Sequence, residues 1–382
     1  MKFLLTALLA LIFNFMQAQV IISEYSSSNL RDFEDNFGEH DAGIELHNAG
    51  NNDVNIGGWY LSDKESKPKK WAIPQGTIIE AGGYLLFWAS GRDVAVDGNF
   101  HTNFKFTQTN GDEFVILANA AGTIIDKTPV ELTALSHSRG RRAGQGLTWF
   151  IFTQPTPGYA NEGAWYKAYT PRPKIQTKAG FYDNAITTEV NGTAGFDLRY
   201  TLDGRNVSED DEIYTGSIEI DATSVLKVRH FSTDTLVLPG LMDFATFFIN
   251  EPETKLPVVS VASDEAITLA DGDRNLNPIS SFEYFDRNGE KKATSFGELD
   301  SHGQDSWINP QRSLDWISRD EMGYNSGAKE KIFNYSDRDE YQRIILRASG
   351  DDNYPSVGDF DHEGSTHIRD EYVHTLVQKS DM

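Results

Sequence analysis

Apolar residues in the first part of the chain recur at every second position over short stretches. Ile44 and Leu46 alternate with Glu45 and His47, and Val54 and Ile56 again skip one residue. That period belongs to half-buried strands, whose side chains point alternately to the two faces of a sheet. Further strands are predicted over 84–88, 104–106 and 114–117, punctuated by Gly82-Gly83, Gly91 and Asn110-Gly111-Asp112. Regular turn spacing over ~140 residues predicts a β-sandwich. After the proline-rich joint Thr170-Pro-Arg-Pro a second β pattern begins, in which Phe196, Leu198 and Tyr200 alternate with Asp197, Arg199 and Thr201. The linker Asn250-Glu-Pro-Glu-Thr-Lys opens a third region with longer loops. Near the end, Ile368, Tyr372, Val373, Leu376 and Val377 fall at helical spacing after Ser365 and Thr366, which predicts an amphipathic helix.

The N-terminus changes the picture of where these domains work. Lys2 precedes a run from Phe3 to Phe15 that is apolar except for Thr6 and Asn14, and Ala18 stands at a plausible cleavage point. Residues 1–18 therefore read as a secretory signal peptide, with an uncleaved anchor as the rival reading because Met16 is a poor minus-three residue. The remainder is expected to be extracytoplasmic, secreted or at the cell surface, with no further membrane span. The chain has no cysteine, so thiol chemistry and cysteine-ligated zinc are excluded, and its cores must be held by apolar burial. A length of 382 residues with 39% hydrophobic and 12% aromatic content predicts two or three packed domains. A formal charge of −23 argues against nucleic acid or an anionic membrane as a general partner, because binding phosphates needs clustered Lys and Arg.

Particular runs carry family resemblances. Gly43-Ile-Glu-Leu-His-Asn, Gly57-Gly-Trp-Tyr-Leu-Ser-Asp, Trp71-Ala-Ile-Pro and the closing Thr156-Pro-Gly-Tyr-Ala-Asn, in that order, resemble the bacterial lamin-tail domain. Gly180-Phe-Tyr, Tyr200-Thr-Leu-Asp-Gly, Tyr214-Thr-Gly-Ser-Ile and Val225-Leu-Lys-Val-Arg resemble the C-terminal module of chitobiases and hexosaminidases, although Arg205-Asn-Val-Ser-Glu-Asp replaces the usual Ser-x-Pro-Thr run. Phe282-Glu-Tyr-Phe, Asp286-Arg-Asn-Gly, Phe296-Gly-Glu-Leu-Asp-Ser-His-Gly, Asn309-Pro-Gln-Arg-Ser-Leu, Ile344-Ile-Leu-Arg and Ile368-Arg-Asp resemble the N-terminal part of the CotH kinase family. The expected fold is mainly β: a signal peptide over 1–18, Ig-like β-sandwiches over 19–161 and 170–250, and an incomplete α+β CotH kinase-like domain over 255–382. The last helix lacks a partner for its apolar face, so a truncated frame or fragment is expected.

The third resemblance implies a secreted or cell-surface Ser/Thr protein kinase that uses ATP and Mg²⁺ on surface proteins, an activity expected of a longer parent. Phosphoryl transfer needs cations on the phosphates and carboxylates on Mg²⁺. Arg312, Arg347 and Arg369 are the phosphate-binding candidates; ion pairing of Arg347 and Arg369 with Asp351 and Asp370 is the bland alternative. The metal-binding carboxylates are expected beyond Met382, which leaves this chain catalytically incomplete, with no catalytic residue and no metal ligand assigned. His367-Ile-Arg-Asp has one residue too many for a kinase His-Arg-Asp loop, and P-loop, nucleophile-elbow and zincin motifs are missing. Asp271-Gly-Asp-Arg-Asn-Leu-Asn places oxygens as a calcium loop does, but Leu276 and Phe282 stand where an EF-hand requires Gly and Glu. Two basic groups, Lys64, Lys67, Lys69 and Lys70 beside Trp71, and Arg139, Arg141 and Arg142, are weak polyanion candidates against hydrated loops beside a core tryptophan. The alternative function is a non-enzymatic adhesion or scaffold protein whose sandwiches bind polysaccharide, cell wall or protein.

Overall fold

The computed structural model describes residues 19–382 except 253, 305–306, 308–311, 334–335, 349–355, 358–359 and 362–382. The expected signal peptide and the expected last helix, with Arg369, lie outside the described residues. Described secondary structure is overwhelmingly β, and no described helix is long and apolar enough to cross a membrane.

The first module is a sandwich. An eight-stranded sheet has Val20–Ser26, Ala42–Asn48 and Tyr84–Ala89 as its middle strands, and a four-stranded sheet built on Phe114–Ala118 and Tyr60–Ser62 faces it. The alternation predicted at 44–47 explains the core: Ile44 and Leu46 are fully buried against Phe87, Val115 and Leu117. Gly82, at φ +71°, turns the chain into Tyr84–Ala89 as the glycine pair requires. The expected strand over 104–106 does not form. Phe104 and Phe106 are buried there, but local bonds such as Gly91 N–H to the Phe104 carbonyl (3.1 Å) replace a ladder.

Glu45 departs from the polar-out expectation. A bulge between Ile22 and Glu24 sets Glu24 directly across from Glu45, and both side chains are buried. The run over 156–161 covers them. Thr156 N–H donates to Glu24 at 3.2 Å, Gly158 N–H to Glu45 at 2.6 Å and Ser23 Oγ to Glu45 at 2.6 Å. Asn161 locks the run by donating to the carbonyls of Ser23 and Arg141, both at 3.1 Å, in space that Gly140 leaves open, since a Cβ there would lie 2.7 Å from the Asn161 side chain. The Thr156-Pro-Gly-Tyr-Ala-Asn signature is thus a latch over two acids.

In the second module a five-stranded sheet runs in the order Gly180–Tyr182, Asp243–Ile249, Ser224–Phe231, Asp197–Thr201, Glu212–Ile213, and the Asp203-Gly204 hairpin forms at its edge with Gly204 at φ +79°. The proline-rich joint is packed rather than loose: Gly240 N–H donates to Thr170 Oγ1 at 2.8 Å, which itself donates to the His230 carbonyl at 3.0 Å.

The third module is an antiparallel five-stranded sheet in the order Val258–Ala262, Ile279–Phe285, Lys291–His302, Ser313–Ser318, Arg343–Leu346. One face carries Phe282, Leu299 and Trp316 under the short helix Ala266–Ala270. Gly297 is needed here, because a Cβ would lie 2.8 Å from the Trp316 ring. The other face packs on the second module, where Phe285 joins its core and the Glu283 carboxylate accepts Thr246 N–H at 2.6 Å. The first module is tied to the third through Asp320, which accepts Gln108 N–H at 2.7 Å and Thr109 N–H at 3.1 Å.

Candidate functional site

Where the second module meets the third, residues 171–179 contain the two-residue strand Lys174–Ile175 and bends at Thr177 and Ala179, with alternating burial. Pro173, Ile175 and Ala179 are buried, whereas Arg172, Lys174, Gln176 and Lys178 are exposed. The exposed residues of the segment form a row of cations and one amide. That row lines a cleft of about 790 Å³, whose other wall is the hairpin of the third module at Gly289, Lys291 and Thr294. The aromatic residues Phe181 and Tyr182 also line it. Tyr182 donates its hydroxyl to the Lys178 carbonyl at 2.7 Å, which fixes the phenol ring.

The charges in the cleft differ in availability. Arg172 pairs with Asp243 at 2.8 Å and Lys291 with the buried Glu283 at 2.8 Å. Lys174 and Lys178 have no ion pair among the described residues. Against a formal charge of −23, the exposed Lys174 and Lys178 beside an aromatic wall are a local reversal of sign. Such a surface can hold a polar, anionic, extended ligand. Among the described residues that line it, no nucleophile is in contact with a base.

Two of the modules match known families. The model of the Lamin Tail Domain matches residues 16–130. That of the Chitobiase/beta-hexosaminidase C-terminal domain matches residues 177–236, which brings the cleft residues Lys178, Phe181 and Tyr182 inside it. No curated protein matches the chain.

The arginines singled out from the sequence are placed as follows. Arg312 directly precedes Ser313–Ser318, and Arg347 directly follows Arg343–Leu346. These strands are antiparallel neighbours with Leu314 opposite Leu346, so both arginines lie at one end of the third sheet. Arg312 donates to the Ala270 carbonyl at 3.0 Å and the Trp307 carbonyl at 3.0 Å, and its guanidinium lies 5.6 Å from the Trp307 ring centre. Those bonds hold the helix Ala266–Ala270 to the sheet. Arg347 is exposed, and Arg369 lies outside the described residues.

The basic groups of the lamin-tail domain are partly tied up by pairing, while Lys69 lies over the Tyr60 ring and Arg142 over the Trp165 ring. Lys70 grips Asp63 at 2.6 Å, Arg141 is buried against Asp126, Arg139 pairs with Glu131, and Trp71 is a core residue. The Asp271-to-Asn277 loop closes on itself, with Asn275 N–H donating to Asp273 Oδ1 at 3.1 Å. A second cavity of about 380 Å³ lies where all three modules meet, walled by Leu132, Tyr169, Met242, Phe296, Met322 and Tyr324. Burial pushes the Tyr324 phenol up to about 12, and the hydroxyl oxygen accepts Met242 N–H at 2.9 Å, so this tyrosine is a neutral strut of the junction. Metal-ligating side chains converge elsewhere, on the lamin-tail domain, at Asp35, Asp41 and His101.

Sequence reasoning missed both the cleft row and this cluster. The alternation of Arg172, Lys174, Gln176 and Lys178 was available as a signal. Asp35, Asp41 and His101 follow no ligand spacing, and only the fold unites them.

Proposed function

We propose that this chain is an extracytoplasmic, non-enzymatic scaffold that binds an anionic polysaccharide in the cleft between its chitobiase-type module and the third sheet. The observation that supports this reading is the exposed row Lys174, Gln176, Lys178 beside Phe181 and Tyr182, on a module whose family is associated with carbohydrate enzymes. Ammonium groups recognise carboxylate or sulfate substituents, and aromatic walls accept the apolar faces of sugar rings. The lamin-tail domain is tied to the third module, which forms one wall of the cleft, through Asp320.

Retention on insoluble acidic and neutral polysaccharides tests the reading. The intact chain is the right reagent, because the segment 170–250 alone would lose Phe285 from its core. The acidic polymers are expected to retain it, with affinity falling as salt rises, and Lys174→Glu with Lys178→Glu should weaken binding roughly tenfold or more, as expected for charged hydrogen bonds. Retention on neither polymer, or retention indifferent to the charge reversal, would sink the idea.

A second reading rests on Arg312 and Arg347 lying at one end of the third sheet. There a CotH-type kinase would place nucleotide phosphates, with ATP and Mg²⁺ as cofactors and surface proteins as substrates. Incubation of the full-length parent, for which alone kinase activity is expected, with radiolabelled ATP and Mg²⁺ distinguishes the two. The scaffold reading expects no label on the chain or on candidate surface proteins; transfer that disappears in Arg312→Met would favour the kinase.

A further inference from the structure

Asp35, Asp41 and His101 bring their ligand atoms within 4.8 Å of one another. Both aspartates belong to the loop between Val20–Ser26 and Ala42–Asn48, and His101 ends the strand Asn99–His101. One oxygen of each carboxylate is committed. Asp35 Oδ1 accepts N–H bonds from Phe37 (2.7 Å) and Glu39 (2.9 Å), and Asp41 Oδ1 accepts Lys105 Nζ at 3.0 Å. The other oxygen of each, Oδ2, is buried with no hydrogen-bond partner. The Asp35 side chain is 0% exposed and that of Asp41 10%.

His101 completes the cluster. Its Nε2 donates to Asn36 Oδ1 at 2.8 Å, which leaves Nδ1 with a lone pair, 3.8 Å from Asp35 Oδ2 and 3.0 Å from the rotatable Ser90 hydroxyl. Two acceptor oxygens and an acceptor nitrogen thus surround one point, an arrangement that costs free energy unless a cation sits among them. Lys105 is spent on Asp41 Oδ1, and the cation that faces the two Oδ2 atoms falls short. Arg92 Nε is 3.8 Å from Asp35 Oδ2 and 3.7 Å from Asp41 Oδ2, beyond hydrogen-bond reach, and its guanidinium rests over the Phe37 ring at 4.7 Å.

We propose that Asp35 Oδ2, Asp41 Oδ2 and His101 Nδ1 bind a divalent transition-metal ion of the zinc class. Imidazole with two single-oxygen carboxylates suits such an ion better than calcium, which prefers six or more oxygens. Three protein ligands leave one tetrahedral position for water or Ser90 Oγ. Asn36 fixes the imidazole tautomer, as outer partners of metal-bound histidines do. Arg92, whose guanidinium already rests over Phe37, competes with the ion through its charge. Asp41 also lines a cleft of about 440 Å³ between the lamin-tail domain and the third module, which gives the ion a way in.

The test uses the intact chain, stripped with chelator and titrated with Co²⁺ by visible absorption and with Zn²⁺ by calorimetry. One ion per chain with tetrahedral cobalt bands is expected. Asp41→Asn and His101→Gln should abolish stoichiometric binding, Asn36→Ala should weaken it about 10–100-fold, and Arg92→Gln, which leaves every ligand in place, should tighten it. Thermal melts of the variants show whether each is folded. Cobalt that binds neither the wild type nor Arg92→Gln, or that binds folded Asp41→Asn and His101→Gln as well as the wild type, overturns the site.

Discussion

Replacing Phe285 with alanine is expected to destabilise the second and third modules together, by about 3–5 kcal/mol, the usual cost of deleting a fully buried phenylalanine side chain. Phe285 is emitted by a strand of the third sheet but is fully buried in the core of the chitobiase-type module, with its ring edge-on to Phe181 at 6.1 Å and to Phe248 at 5.3 Å. Its removal leaves a cavity that belongs to both modules, so neither can relax without the other. Hydrogen exchange locates the effect. Amides of Asp243–Ile249 and of Ile279–Phe285 should lose protection in step, while Val20–Ser26 in the lamin-tail domain keeps its own. Loss confined to the third module would show that the core is not shared.

The second large effect is a pH dependence seated at the latch of the lamin-tail domain. Burial pushes the Glu45 carboxyl from 4.5 to about 8, with the facing Glu24 adding to the rise and the bonds from Ser23 and Gly158 working against it. Burial raises Glu24 as well. A carboxyl whose folded value lies above its unfolded one binds protons more tightly when folded. Its stabilising contribution is therefore complete below about 4.5, and it is lost as the pH climbs through about 8. The full swing is on the order of 5 kcal/mol, shared with Glu24.

Other groups tilt the curve the opposite way. His137, lowered to about 4 by burial, adds stability as the pH rises from 4 to 6.5, and Lys227, lowered to about 7 by burial, does so from 7 to 10.5. The difference between wild type and Glu45→Gln isolates the latch. The glutamine variant has one acceptor oxygen for the two donors Gly158 N–H and Ser23 O–H and should be about 1 kcal/mol less stable near pH 5, then gain on the wild type steadily up to pH 8. Chemical denaturation across that range measures the crossing, and parallel curves would show that Glu45 titrates normally.

Glu45 also marks where sequence stops being legible. Its place between Ile44 and Leu46 fixes a strand and a core face, and both aliphatic residues are fully buried. Whether the opposite face meets water depends on a segment 113 residues away in the chain, the one containing Gly158, and no periodicity reports that. Arg312 shows the same limit. The sequence marked it as a cation, but its bonds to the Ala270 and Trp307 carbonyls depend on how a short helix docks on the sheet. The turn at Gly82 carries over from sequence to structure, because a positive φ calls for a missing Cβ, whereas the close approaches at Gly140 and Gly297 emerge only from the packing. The strand expected over 104–106 fails because apolar residues spaced for a strand bury themselves equally well in an extended segment without a partner.

The central claim, that the seam between the chitobiase-type module and the third sheet is a binding site for an anionic polysaccharide, is tested most directly by hydrogen exchange of the intact chain with and without an acidic oligosaccharide. The account predicts slower exchange over residues 172–182 and 289–294 in low salt, and its disappearance in high salt, where exposed charges are screened. Exchange unchanged along both walls, with protection appearing elsewhere or nowhere, would contradict it.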